Sequence, residues 1–294
     1  MTTVDQAAGA VIVTFNPDAS FFSRLANIAD QANATVVVDN GSEPAFAAQL
    51  GKAARTDARI NVIGFDANRG IAAALNAGLD YLAEAGFAWA YTFDHDSLPM
   101  ENFFNAMGHA VGLYADAALL APEYMDETSR VSITPTVGND ANAGVDIFST
   151  MTSGNLVHLA TWRTVGKFDE RYFIDYVDHE FCLRLKARGH RIVQVAGAVL
   201  AHNLGNRSTH GMTARKFSTT NHSALRRYYI TRNRLRVYAT YLPVFPRWVL
   251  NDMRSAIKET VKIVLFEQQK MRKVRAMAMG VRDAVTGRWP RYKD

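Results

Sequence analysis

Two carboxylates one residue apart, Asp94 and Asp96 around His95, follow the apolar run AWAYTF. Anionic oxygens at a strand end suit Mg2+ or Mn2+ bridging a diphosphate. Alternation along a strand would set the two carboxylates on one side and His95 on the other. An ordinary turn with capping Asp residues is the competing reading, because Asp-x-Asp alone is common. A denser acidic group follows: Asp169 and Glu170 beside Arg171, then Asp175, Asp178 and Glu180. Asp178 at the start of a helix over about 178–189 reads as an N-cap, or as a base that deprotonates a hydroxyl. Spacing does not separate the two. His202, after an apolar strand in AHNLGNRS, is a candidate metal ligand or phosphate contact. Asn68-Arg69-Gly70 opens an Ala-rich helix, where Gly70 permits close backbone approach and the helix N-terminus favours phosphate.

The elements that must position these residues alternate. Strands are expected at AVIVTF (10–15), TVVV (35–38, stopped by Asp39), RINVIGF (59–65), AWAYTF (88–93) and AALLAP. Helices are expected over 19–33, 43–54, from residue 71 and over about 100–113. Such alternation means βαβ units, a parallel sheet, and ligand-binding loops along one edge of it. Asp39, Asn68, Asp94 and Asp96 all fall just after predicted strands. Residues 122–143 read as a polar, turn-rich excursion. MTSGNLVHL, the acidic group, RIVQV and AVLAH make an α+β second half, and the chain reads as helical from about 220.

The 294 residues are 48% hydrophobic, 21% charged and 11% aromatic, ample for a buried core. One cysteine, Cys182, excludes an internal disulfide and argues for a reducing compartment. No signal peptide and no membrane span are expected. G-x-x-x-x-G-K with Ser or Thr is absent, which excludes a P-loop NTPase. TFNPD after the first strand lacks the G-x-G-x-x-G of dinucleotide-binding dehydrogenases. Charge is segregated: residues 225–294 carry 17 Lys and Arg against 5 Asp and Glu, and residues 1–224 carry 16 against 23. The basic tail points to an anionic partner, or to a solvated helix surface.

Taken in order, VIVTFNPD, VVVDNGS, NRGIAAALNAG, FDHDS, TSGNLV, FDERYFIDYVDHEFCLR, GHRI and AHNLGNRS make residues 8–240 resemble a family 2 inverting glycosyltransferase with the GT-A fold. FDHDS and FIDYVDHEFCLR most resemble bacterial rhamnosyltransferases that use dTDP-L-rhamnose, with His95 where those usually carry Gln. The resemblance implies an α/β, Rossmann-like nucleotide-diphospho-sugar transferase with a mainly parallel sheet. The catalytic domain would be 1–220 (nucleotide half about 1–121, acceptor half about 122–220), followed by a helical basic extension over 221–294.

Residue by residue, the resemblance places Thr14 and Asn16 at the nucleotide base and Asp39 on the base edge. Asn68 and Gly70 border the ribose and diphosphate. Asp94 and Asp96 form the Asp-x-Asp element for Mg2+ or Mn2+, Asp96 the more direct ligand, with His202 completing that site. Ser153, Gly154 and Asn155 lie near the sugar or acceptor. Asp178 is the base, with Asp175 and Glu180, also assigned to substrate, close enough to exchange roles with it. The implied reaction is a single displacement that inverts the anomeric carbon. Arg232-Asn233 also matches family members. No Q-x-x-R-W marks a processive synthase, so a non-processive enzyme acting on a glycan or lipid-linked acceptor in cell-surface polysaccharide synthesis is expected. Another nucleotide-sugar donor is the alternative.

A sugar nucleotidyltransferase is the enzymatic rival, but TFNPD is not its Gly-rich basic loop. A tail-driven membrane or nucleic-acid binder would leave the acidic strand-edge group unexplained, and no nucleic-acid partner is expected. In RWVLNDMRSAIKETVKIVL (247–265), Val249, Met253, Ile257, Val261 and Val264 recur on one helical face, with Arg254, Lys258 and Lys262 about 100° further round. The expectation is a cytoplasmic enzyme, peripheral at the inner face of the cell membrane. A packing or homo-oligomer contact for this helix stays open.

Overall fold

In the computed structural model, residues 8–126, 131–133, 144–202, 208–210, 217–219 and 221–292 are described, with the side chains of 202, 208–210 and 217–219 left aside. The chain begins β1 (Ala8–Thr14), α1 (Phe21–Ala29), β2 (Ala34–Asp39), α2 (Pro44–Thr56), β3 (Ile60–Gly64), α3 (Ile71–Glu84) and β4 (Trp89–Asp94). It continues with β5 (Leu98–Pro99), α4 (Phe103–Leu113), β6 (Ala117–Asp126), β7 (Gly144–Asp146), β8 (Asn155–His158), α5 (Leu159–Val165), α6 (Val177–Ala187) and β9 (Arg191–His202). A short hairpin, β10 (Ser208–His210) and β11 (Phe217–Thr219), precedes the helices α7 (Ala224–Tyr241), α8 (Pro246–Phe266) and α9 (Lys270–Val285).

Among the described residues β1 to β9 form one sheet in the order β3-β2-β1-β4-β8-β6-β9-β5, with β7 paired to β9. The first four strands are parallel, because a crossover helix, α1, α2 or α3, connects each to the next. β8 runs antiparallel to both β4 and β6, so the sheet is mixed beyond its first four strands. The continuous burial of β1 and β2 explains why they read as apolar runs rather than alternating ones. Their side chains join Phe21, Leu25, Phe93, Phe103 and Leu200 in one core.

Three readings are corrected. RIVQV and AVLAH are one strand, β9, whose pairing with β6 shifts register around Ala121/Glu123. Residues 122–126 belong to β6 rather than to an excursion, which buries Tyr124. The strand carrying Asp94 ends there and residues 95–96 are turn, so strand alternation does not govern Asp96.

The chain divides into two units, Met1–Glu170 with Val177–Asn203 and Arg171–Tyr176 with Leu204–Asp294. The loop 171–176 thus joins the helical unit. The Asn233 Nδ2 donates to the carbonyls of Tyr172 (2.8 Å), Ile174 (2.9 Å) and Asp175 (2.8 Å). It thereby holds a loop whose Phe173, Asp175 and Tyr176 all have left-handed φ. The adjacent Arg232 lies over the rings of Tyr228, Tyr229 and Trp289 and donates to the carbonyls of Arg171 and Pro290. The Arg-Asn pair seen in the sequence is therefore a clamp within this unit.

The second unit also buries a charged network. Glu267 and Arg227 sit 2.6 Å apart with side chains each 2% exposed, and Lys273 reaches Glu267 at 2.7 Å. Glu267→Ala would leave two buried cations without that carboxylate, so a loss of about 3–5 kcal/mol is expected. Urea unfolding followed by circular dichroism measures it; a loss under about 1 kcal/mol would mean that Glu259, the other partner of Arg227, suffices alone.

Candidate functional site

The carboxyl ends of β1, β2 and β4 bring the first group together. Register pairs Thr14 with Asp39 across β1 and β2, and Val13 with Asp94 across β1 and β4. Thr14 is fully buried and its hydroxyl has no hydrogen-bond partner. A buried hydroxyl left unpaired costs about 1–3 kcal/mol, and a ligand polar group beside it would relieve that. Asp39 accepts from the Ser42 amide at 3.2 Å. Asn16, itself at left-handed φ, accepts the Glu43 amide at 2.8 Å, and its own amide donates to Ser42 Oγ. The Asn16 side chain thus closes the start of α2.

Asn68 and Gly70 are fixed by a residue that the sequence did not single out. Asn40 Nδ2 donates to Asn68 Oδ1 at 3.2 Å, and Asn40 Oδ1 accepts the Arg69 amide at 2.8 Å. Asn68 Oδ1 also accepts the Gly70 amide at 2.9 Å. Gly70 precedes α3 at φ 94°, which a side chain would resist, so the turn into this helix needs glycine. The amides at the start of α3 are an anion-favouring end beside Asp39. Asn40 lay inside VVVDNGS, the one signal that could have found it.

Asp94, His95 and Asp96 are half-buried in a turn closed by the Ser97 amide donating to the Asp94 carbonyl at 3.1 Å. The segment 150–155 supports it from below. Ser153 Oγ accepts the Asp94 amide at 3.1 Å and hydrogen-bonds the Ser97 hydroxyl. Gly154 donates its amide to the Thr92 carbonyl, and at φ 81° an added Cβ would meet Leu200 and Pro122 at 2.8 Å. Asn155 is buried, donating to the Met151 carbonyl and accepting from Thr150. Ser153, Gly154 and Asn155 are thus brought to the Asp-x-Asp turn, as its packing support.

Beneath this turn lies Tyr124, 2% exposed, donating to the Ser153 carbonyl at 2.8 Å. Burial drives its phenol well above the usual range; the Thr150 hydrogen bond opposes this, and the charges of Asp178 and Asp94 add to the rise. Asp178 also contributes, after burial, to pushing the Cys182 thiol up to about 12, so that cysteine is an inert core group. Asp178 itself is half-buried in the first turn of α6, and its Oδ1 accepts the His179 amide at 2.8 Å.

The neighbouring acids separate by their partners. Glu180 is buried, and both its oxygens hold Arg184, at 3.0 and 2.7 Å. Arg184 in turn reaches the carbonyls of Val165 and Lys167. Asp175, in the second unit, is paired with Arg226 at 2.6 Å. Asp178, by contrast, accepts the His179 amide at the start of its own helix.

A divalent cation fits the Asp-x-Asp turn chemically, two carboxylates being the oxygen donors that Mg2+ and Mn2+ take. Leu98 pairs antiparallel with Ala201, so the backbone runs His202 beside the residues just after Asp96. Among the described residues no three His, Cys, Asp or Glu side chains gather into a metal-holding group, and the His202 imidazole lies outside that description.

Residues 10–120 match the family model described as Glycosyl transferase family 2. Over 297 residues, covering 95% of each chain, the sequence is 26% identical to the dTDP-rhamnosyl transferase RfbF of Shigella flexneri. Among solved structures it resembles S. aureus TarS with a TM-score of 0.57 and 14% identity, over 93% of this chain and 43% of that one. It resembles GalNAc-T7, determined with UDP, GalNAc and Mn2+, with a TM-score of 0.60 and 11% identity, over 97% of this chain and 58% of that one. The chain thus spans under two thirds of either, and these likenesses concern the fold, which is GT-A.

Proposed function

We propose that this chain, a glycosyltransferase with a family 2 domain over residues 10–120 and a GT-A fold, moves L-rhamnose from dTDP-L-rhamnose to a hydroxyl of a glycan or lipid-linked acceptor. The whole-length similarity to a dTDP-rhamnosyl transferase supports the donor. The single observation that carries the site is the Asp-x-Asp turn at the carboxyl end of β4, held by Ser153 and closed by Ser97 next to the strand ends that bear Thr14 and Asp39.

In this reading Thr14 and Asp39 receive the nucleotide base, and the α3 amides behind Asn68 and Gly70 face the diphosphate. Asp96, Asp94 and His202 would hold Mg2+ or Mn2+, which when bound offsets the charge of the leaving diphosphate. Asp178 takes the acceptor hydroxyl proton as that oxygen bonds to the anomeric carbon. The bond from this carbon to the phosphate oxygen breaks, its electron pair leaves with dTDP, and the configuration inverts. Thr92, Ser97 and Ser153 keep the turn rigid, so positioning supplies much of the rate.

Thermal-shift and calorimetric titration with Mg2+ present test the donor. dTDP-L-rhamnose should bind more tightly than UDP-glucose or UDP-galactose, and at a hundredfold excess over its Kd should add about 2.7 kcal/mol to stability. Tighter binding of either UDP-sugar would replace the rhamnosyl donor and leave the transferase in place.

A further inference from the structure

Four acidic side chains lie between residues 225 and 292, and all are engaged inside the helical unit. Asp252 accepts from the hydroxyls of Tyr176 and Tyr238, Glu259 from Arg227 and Arg234, Glu267 from Arg227 and Lys273, and Asp283 from Tyr228 and Arg282. On α8 the docked face carries Val249 and Ile263, both buried. The rest of the apolar face is open: Met253, Ile257, Val261 and Val264, with the neighbouring Leu250, are between 40% and 64% exposed. Arg254 and Lys258, also exposed, follow Met253 and Ile257 by one position, and so run as a cationic row along the apolar one. The same pairing of exposed apolar and basic groups recurs on α9, where Met271 is 82% exposed next to the exposed Arg272.

We propose that this face of α8 is a docking surface for an anionic lipid bilayer, entering the headgroup region with its apolar row and meeting lipid phosphates with its Arg and Lys row. Charge complementarity selects the occupant. An isologous contact presents the same patch twice, and this patch offers a second copy's cations no carboxylate. An anionic leaflet supplies both the counter-charge and the apolar phase that the row needs. No described helix is long and apolar enough to cross a membrane, so the contact lies in the interface plane. None of these residues belongs to the candidate site, so the surface goes beyond the proposed transfer.

Co-sedimentation of the full chain tests it, with vesicles of phosphatidylglycerol and phosphatidylcholine, and with phosphatidylcholine vesicles alone. The wild type should bind the anionic vesicles only, and less at high salt. Arg254→Glu with Lys258→Glu should weaken binding at least about 25-fold, each basic residue contributing about fivefold. Ile257→Asp with Val261→Asp should abolish it. All four positions are exposed, so circular dichroism and dTDP-L-rhamnose affinity should stay at wild-type values. Failure of the wild type to bind anionic vesicles at low salt overturns the proposal, as does binding that both double variants retain. A dimer in analytical ultracentrifugation that the Asp pair dissolves, without vesicle binding, would assign the face to a second copy. Loss of donor binding in the wild type, with vesicle binding intact, would contradict the transfer and leave this surface standing.

Discussion

Asp178→Asn is expected to lower kcat by about a hundred- to ten-thousandfold while leaving donor affinity within about twofold. The amide keeps the shape and the oxygen that accepts the His179 amide, so α6 should start as before. What is removed is the charge and basicity of the carboxylate. Because the base works on the acceptor, the effect belongs in kcat and not in donor binding. Asp175→Asn is the comparison, since that carboxylate is paired with Arg226 and should matter mainly for the 171–176 loop. Steady-state kinetics on both variants decide; a dead Asp175→Asn with an active Asp178→Asn would move the base by three residues.

Asp96→Ala is expected to cut turnover by at least about a hundred- to thousandfold, the scale of losing one charge-stabilising group at a departing anion. Its turn is half-buried and is held by backbone and serine contacts to Asp94 and Ser97, none made by the Asp96 side chain. Melting temperature should therefore stay near that of the wild type, and raising Mn2+ should not restore the rate. Near-normal turnover of this variant would remove Asp96 from the phosphate side of the site.

The first half of the fold was legible because each strand is a short apolar run stopped by polar turn residues, and each crossover helix has its own period. Asp39, Asn68, Asp94 and Asp96 could be picked out for the same reason: a parallel sheet gathers its strand ends without further information. Tyr124 was hidden, because Pro122 and Glu123 made a buried strand end look like loop. The support of the Asp-x-Asp turn by Ser153 spans about sixty residues of chain, a distance at which spacing carries no signal. The acidic group shows the same limit. Asp175, Asp178 and Glu180 are equivalent by sequence, and only the partners Arg226 and Arg184 distinguish two of them. On α8 the apolar period was visible, but which side docks was not. Asp252 and Glu259, bound by Arg234 and Arg227, turn the helix so that Val249 and Ile263 face inward and the larger apolar row faces out.

The most direct measurement is release of nucleoside diphosphate from dTDP-L-rhamnose, with Mg2+ or Mn2+ present and water or an added sugar hydroxyl as acceptor. Wild-type protein should release dTDP, faster than it releases UDP from UDP-glucose, and Asp96→Ala should release it at the background rate. No release of nucleoside diphosphate from any sugar nucleotide, or equal release by wild type and Asp96→Ala, would contradict the assignment of this strand-edge site to sugar transfer.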